Sequence, residues 1–296
     1  MSQRKSITVF LLIAFSIAWI LFVLPLAFSG AQQLTQQYIT LACWSAAMWA
    51  PGLAAILTTR LVDREPISKL HLGRLGDKRT YLWAWLVPPA LVIAAGILTA
   101  LLGVGQLDLE FTAIRQAMAQ ASGPALPPTM IVGIQSLIAL TVAPLFNMLF
   151  ALGEELGWRG YLLPRLIPMG QGRAILLSGV IWGIWHWPAI LQGHNYPGQP
   201  VLGMFLMIGF CVLFGAFLSW LYLRTGSPWA PALGHGSLNA VAGLPLIFMP
   251  GVNMALGGTL TSLVGWIPML LLVGWLFWKR KPPAANIESP AQPVTA

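Results

Sequence analysis

Two adjacent glutamates, Glu154 and Glu155, sit in the stretch LGEELGWRGYL, Leu152 to Leu162. Glu155 and Arg159 are four residues apart, so on a helix they share a face and can form a lateral ion pair. Glu154 is rotated from Glu155 by about 100°. One acid can be neutralised locally while the other points elsewhere. Two histidines fall in later apolar stretches, His186 in IWGIWHWPAIL and His235 in APALGHGSLNAV. Asn239 lies one turn beyond His235 on the same face. A carboxylate with two imidazoles is a toolkit for hydrolysis: an acid takes a proton from water, an imidazole shuttles it, and donors steady an oxyanion. The same set suits a divalent metal such as zinc, held by Glu154, His186 and His235 with one position open. No HExxH is present, so the residues leave the cofactor open.

Taken singly, these residues have plainer readings. The glutamates can pair with arginines at a membrane interface, each histidine can be a hydrogen-bonded core residue, and Asn239 can link helices. Their convergence from three helices is what points to a site. The chain has eight acids, and between Glu110 and Glu288 the only ones are Glu154 and Glu155. An ionised acid at mid-membrane costs about 2.5–3.5 kcal/mol on insertion scales, and less near the interface.

The elements that must position these groups are apolar. The chain of 296 residues is 57% hydrophobic and 8% charged, with mean hydropathy +0.76, against about 25% charged in soluble domains. Lipid is its natural solvent. Eight apolar segments have roughly spanning length: Ile7–Phe28, Tyr38–Val62, Tyr81–Gly103, Met130–Leu152, Ile175–Leu191, Val201–Leu223, Trp229–Phe248 and Thr259–Trp278. The fifth is the shortest. Pro231, Gly234, Gly236 and Gly243 interrupt the seventh.

With the N-terminus in the cytoplasm, the basic residues of the loops and ends fall on the cytoplasmic side, from Arg4 and Lys5 through Arg60, Arg64, Lys69, Arg74, Lys78, Arg79, Arg165, Arg173 and Arg224 to Lys281. Only Arg115 falls outside. That bias obeys the positive-inside rule and accounts for the net charge of +8 without a nucleic-acid partner. The expected fold is an all-α, polytopic membrane helix bundle of about eight transmembrane helices with both termini cytoplasmic, placed in the cell membrane. Residues 1–281 form one bundle and 282–296 a disordered cytoplasmic tail rich in Pro and Ala. The first segment is expected to be a retained span, being about twice as long as a signal-peptide core. Phe111–Ala121 reads as a short amphipathic surface helix. Cys43 and Cys211 read as apolar fillers.

The motifs resemble those of the CPBP family of intramembrane proteases, which includes CAAX proteases and bacteriocin-processing (ABI) proteins. EELGWRGYL is similar to its first motif, two glutamates, three residues and an arginine. SGVIWGIWHWP resembles the second, an aromatic four residues before a histidine, here Trp182 and His186, with tryptophan where phenylalanine is commoner. LYLRTGSPWAPALGHGSLNA resembles the third, which ends in His-x-x-x-Asn, here His235 and Asn239. The resemblance covers about 146–242. It implies Glu154 as the base that activates water, His186 as its partner, His235 and Asn239 as groups that orient water or stabilise the oxyanion, and Glu155 and Arg159 as supports. The family is termed metalloprotease-like, yet glutamate-dependent chemistry without metal is argued for it too.

The reading that follows is an intramembrane endopeptidase acting near the cytoplasmic leaflet on a hydrophobic or lipid-anchored peptide or protein, with membrane lipids as its other partner. Two rivals stand beside it. One is a non-catalytic membrane scaffold or bacteriocin-immunity factor. The other is a proton-coupled transporter, against which stand the lack of repeated halves and the placing of the acids at one end of the bundle.

Overall fold

The computed structural model describes residues 3–120 and 126–279, and every regular element among them is helical. The N-terminal part holds α1 (Gln3–Val23), α2 (Gln33–Ala47), α3 (Ala50–Leu57), α4 (Thr80–Leu101) and α5 (Thr112–Gln120). The middle holds α6 (Pro128–Thr141), α7 (Ala143–Glu155), α8 (Leu163–Leu166), α9 (Gln171–Trp185) and α10 (Trp187–Leu191). Then come α11 (Pro200–Thr225), α12 (Trp229–Val241), α13 (Leu244–Phe248) and α14 (Leu263–Lys279). Two stretches, Thr58–Val62 and Leu156–Leu162, are π-helical. The tail expected over 282–296 lies outside the described residues.

Each of the eight apolar segments falls on one helix or on a broken run of helix. Among the described residues, four runs are long and apolar enough to cross a membrane: Gln3–Phe28, Gln33–Val62, Thr80–Leu101 and Pro200–Thr225. A fifth forms if α6 and the following run Ala143–Met169, bent by 49°, act as one span. The other apolar segments are shorter or broken. The breaks have a common cause. Proline stands in the first turn of the helix after each one: Pro51 in α3, Pro144 in α7, Pro188 in α10 and Pro245 in α13. Proline has no N–H to give and its ring clashes with the carbonyl four residues back, so the preceding helix stops and a new one starts. Broken backbone is tolerated at membrane depth where protein surrounds it.

The loops sort by contact. Arg165 bonds Asp63 at 2.7 Å, Gln3 donates to the Arg165 carbonyl, and Trp229 Nε1 donates to the Leu72 carbonyl at 2.8 Å. These loops carry the cationic excess and meet at one end. At the other end the Asp108 N–H donates to Phe248 O at 2.8 Å and Trp44 Nε1 donates to Phe22 O at 3.2 Å. The short helix expected near Phe111–Ala121 is α5, with no buried residue. Both cysteines are free thiols, Cys211 buried and Cys43 half-buried.

α12 occupies the centre, packed on α7, α4 and α11. All residues from Ala230 to Leu238 are buried, the mark of a helix surrounded on every side. Its approach to α7 is close because Gly236 has no side chain. A Cβ there would stand 2.5 Å from the Met148 backbone nitrogen and 2.8 Å from Pro144 O. On the opposite side of α7, Gly52 of α3 and Gly153 touch backbone to backbone, since a Cβ on Gly52 would meet Gly153 O at 2.7 Å. Small residues at such crossings let membrane helices pack closely without a hydrophobic driving force. α7 is thereby clamped between α3 and α12, and its last turn carries Glu154 and Glu155.

Candidate active site

The two glutamates end α7 inside protein. Glu154 is 2% exposed and Glu155 fully buried. The seven residues that follow, Leu156–Leu162, are all buried and wind as a π-helix, an irregularity frequent at functional sites. The pair divides as its helical rotation requires. Glu155 Oε1 takes the Arg159 guanidinium at 2.8 Å, so the expected lateral pair forms, and both partners are out of solvent. Glu154 turns the other way and accepts a 2.7 Å hydrogen bond from the indole Nε1 of Trp182 on α9.

His235, on α12, is 5% exposed. Its Nδ1 lies 3.0 Å from Glu155 Oε1. A carboxylate oxygen accepts, so Nδ1 carries the hydrogen and Nε2 is left for other work. His186 follows the last residue of α9, at the break ahead of Pro188. Its Nδ1 lies 2.9 Å from the Trp182 carbonyl oxygen, which fixes the same tautomer. Both imidazoles therefore present Nε2. The Cys211 sulfur is 3.9 Å from His186 Nδ1. Asn239 lies one turn after His235 and is exposed, while His186 is half-buried.

Aromatic rings wall the cluster. The Trp182 ring stands 5.3 Å from His235 and 5.7 Å from His186, and the Arg159 guanidinium carbon sits 4.5 Å from its centroid. Phe214 faces His235 from α11 at 6.5 Å. Glu155 Oε2 and Arg159 Nε are buried with no hydrogen-bond partner among the described residues. A structural pair built for stability satisfies such groups; one kept for chemistry need not.

Three helices, α7, α9 and α12, thus bring Glu154, Glu155, Arg159, His235 and Trp182 into direct contact, with His186 joined through Trp182. The residue that bonds Glu154 is Trp182, and the imidazole that meets the glutamate pair is His235. The indole N–H is a contact that the residue spacing did not reveal. Trp182 lies four residues before His186, which puts both on one helix face, and that was the signal available. As for a metal, no group of three His, Cys, Asp or Glu side chains among the described residues could hold an ion. Glu154, His186 and His235 as placed do not make a metal centre.

A second polar cluster lies at the basic end. Arg165 bonds Asp63 and, at 3.5 Å, Glu65, and it lies over the Tyr161 ring at 3.6 Å. The Tyr161 hydroxyl donates to Asp63 at 3.0 Å. This clasp ties the loop after α3 to the π-helical turn that carries Arg159.

An all-helical, apolar bundle with a buried carboxylate, an ion pair and two oriented imidazoles is an integral membrane protein built around a polar site. Comparison with known proteins shows what part of the chain is similar to a known family. A model described as Type II CAAX prenyl endopeptidase Rce1-like matches residues 134–241, which begin in α6 and end with α12. A CAAX prenyl protease 2 from Arabidopsis thaliana is 26% identical over 218 residues, covering 67% of this chain and 66% of that protein. One from Homo sapiens is 33% identical over 101 residues, 32% of this chain and 30% of that protein, and one from Methanococcus maripaludis 33% over 85 residues, 26% and 30%. Over residues 134–241, just over a third of its length, the chain is thus similar to the CAAX prenyl endopeptidase family, and all three motif stretches fall largely within that match. It spans just under two thirds of the Arabidopsis protein and less than a third of the other two.

Proposed function

We propose that this protein is a glutamate-dependent intramembrane endopeptidase that hydrolyses a peptide bond of a lipid-anchored or hydrophobic peptide or protein. One observation carries the reading. Of two adjacent buried glutamates, Glu155 is neutralised by Arg159 while Glu154 is left with only an indole donor. A buried carboxylate with no cation bonded to it is expensive as a structural element and suitable as a base.

In the proposed reaction, Glu154 takes a proton from a water molecule. The water oxygen bonds to the scissile carbonyl carbon, and the carbonyl electrons move onto oxygen. His186 Nε2 accepts a hydrogen bond from the other O–H of that water, which stays on the attacking oxygen, and so orients the attack. The amide of Asn239 donates to the oxyanion. His235 shares that duty through Nε2 when protonated, with Glu155 supporting the imidazolium as a triad carboxylate does. The C–N bond then breaks, and the proton held by Glu154 passes to the departing amine. No step passes through a metal.

The site lies within a membrane-embedded protein, which suits a substrate held at the bilayer by its own lipid or apolar segment. The relatives are named for CAAX prenyl proteolysis, and a prenylated C-terminus is the first substrate class to try. The test is peptidomics of cells carrying wild-type protein or Glu154→Gln, followed by cleavage of the identified substrate with purified protein in liposomes. Loss of one set of processed termini in the variant is expected. Full cleavage by Glu154→Gln would remove the mechanism.

A further inference from the structure

Trp182 touches four of the ionisable groups of the candidate site, Glu154, Arg159, His186 and His235. Its Nε1–H donates to Glu154 Oε2 at 2.7 Å. That is shorter than the usual 2.9–3.0 Å for N–H···O and falls in the range of charge-assisted bonds. Its ring carries the Arg159 guanidinium at 4.5 Å and meets His235 edge-on at 5.3 Å. Its carbonyl holds His186 Nδ1 at 2.9 Å. The side chain is 1% exposed, so its polar edge is aimed inward and used.

We infer that Trp182 is a positioning residue whose indole N–H fixes the rotamer and the free oxygen of Glu154. The inference rests on the proteolytic reading above. With Oε2 engaged by the indole, Oε1 is the oxygen left for water, since no described residue hydrogen-bonds it. A buried carboxylate without this bond could turn about its terminal torsion, which is broad and roughly two-fold. It would then present either oxygen at uncontrolled angles. Reaction geometry is sensitive to such errors, because a misplacement of about 1 Å can lower a rate about 100-fold. A phenylalanine would fill much of the space and leave the carboxylate unheld. The alternative is that Trp182 acts by bulk alone, as a wall for Arg159 and His235.

The two differ by a single N–H. Replacing Trp182 with 3-benzothienylalanine by codon suppression exchanges N–H for sulfur and keeps the bicyclic ring. The purified full-length variant, wild type and Trp182→Phe are compared in liposomes on a substrate whose cleavage is first shown to require Glu154. The expected result for the benzothienyl variant is a kcat lowered roughly 10- to 100-fold, the worth of a hydrogen bond to a charged group, with KM and Tm unchanged. Trp182→Phe is expected to lose kcat and Tm together. A benzothienyl variant with wild-type kcat, or one whose kcat falls only with its Tm, overturns the inference.

Should wild type show no Glu154-dependent cleavage, that failure belongs to the proteolytic reading. Trp182 is then judged by the indole ¹⁵N–¹H signal that Trp182→Phe deletes. A downfield signal that moves on Glu154→Gln supports the contact, and one that does not move sinks it. The same spectrum decides if the benzothienyl protein does not fold.

Discussion

His235 donates from Nδ1 to Glu155, not to Glu154, although the two acids are neighbours in the chain. The same Glu155 oxygen also receives Arg159. One carboxylate therefore orients the imidazole and neutralises the guanidinium, and the other is released from both duties. The adjacent acids have opposite roles because the helix turns them about 100° apart.

This division predicts different costs for the same substitution at the two positions. Glu155→Gln leaves the Arg159 charge buried and unpaired. Removing one partner of a buried pair costs about 3–5 kcal/mol, so detergent-solubilised Glu155→Gln is expected to unfold many degrees below wild type. Glu154→Gln keeps a carbonyl oxygen for the Trp182 indole and should change stability by less than about 1 kcal/mol, while cleavage is lost. Thermal unfolding and cleavage rates of both variants check the pattern. Equal destabilisation would refute the assignment.

The local part of this arrangement was legible in the sequence and the long-range part was not. Glu155 and Arg159 are four apart, and helical periodicity alone sets them side by side. The apolar segments likewise announced themselves by length. The bond from Trp182 to Glu154 joins positions 28 apart, and that from His235 to Glu155 positions 80 apart. Those contacts depend on how α7, α9 and α12 pack. Packing is set by shape at residues such as Gly236, which carry no chemical signal of their own. The clasp of Arg165 on Asp63 spans 102 positions, and each partner looked like an ordinary loop charge. The breaks within spans were readable in principle from Pro51, Pro144, Pro188 and Pro245, whereas hydropathy averages run straight across them.

Arg159→Lys tests whether charge alone suffices beside Glu155. The guanidinium pairs Glu155 through Nη1 while its plane lies over Trp182. An ammonium is a compact point charge and cannot serve both contacts. A loss of about 1–2 kcal/mol is expected, with cleavage reduced. A lysine variant that matches wild type in Tm and rate would show the stacking to be incidental.

Gly236→Ala perturbs the site without altering any group in it. The added methyl meets Met148 N and Pro144 O on α7, and backbone cannot yield as a side-chain tip can. Overpacking of this kind costs about 1–3 kcal/mol. Pushing α12 from α7 also lengthens the bond from His235 to Glu155. The variant should therefore lose cleavage out of proportion to its drop in Tm. Loss of Tm with unchanged cleavage per folded molecule would separate the helix contact from the site.

Outside the membrane, Asp77 supplies a pH-dependent element of stability. It lies just before α4 and accepts from the Thr80 hydroxyl at 2.9 Å and the Arg79 backbone N–H at 3.1 Å. These bonds, the Thr80 hydroxyl first, hold its carboxyl below the ordinary value of 3.8. A depressed folded value means that the ionised form is favoured by folding. Its stabilisation is complete above the unfolded value and disappears as the pH falls through the folded one. Asp77→Ala should therefore lower Tm at pH 6, and the gap from wild type should close as the pH drops below about 3.8. Calorimetric or fluorescence melts across that range measure the gap. A gap that stays constant with pH would mean that the side chain acts on α4 by shape and not by charge.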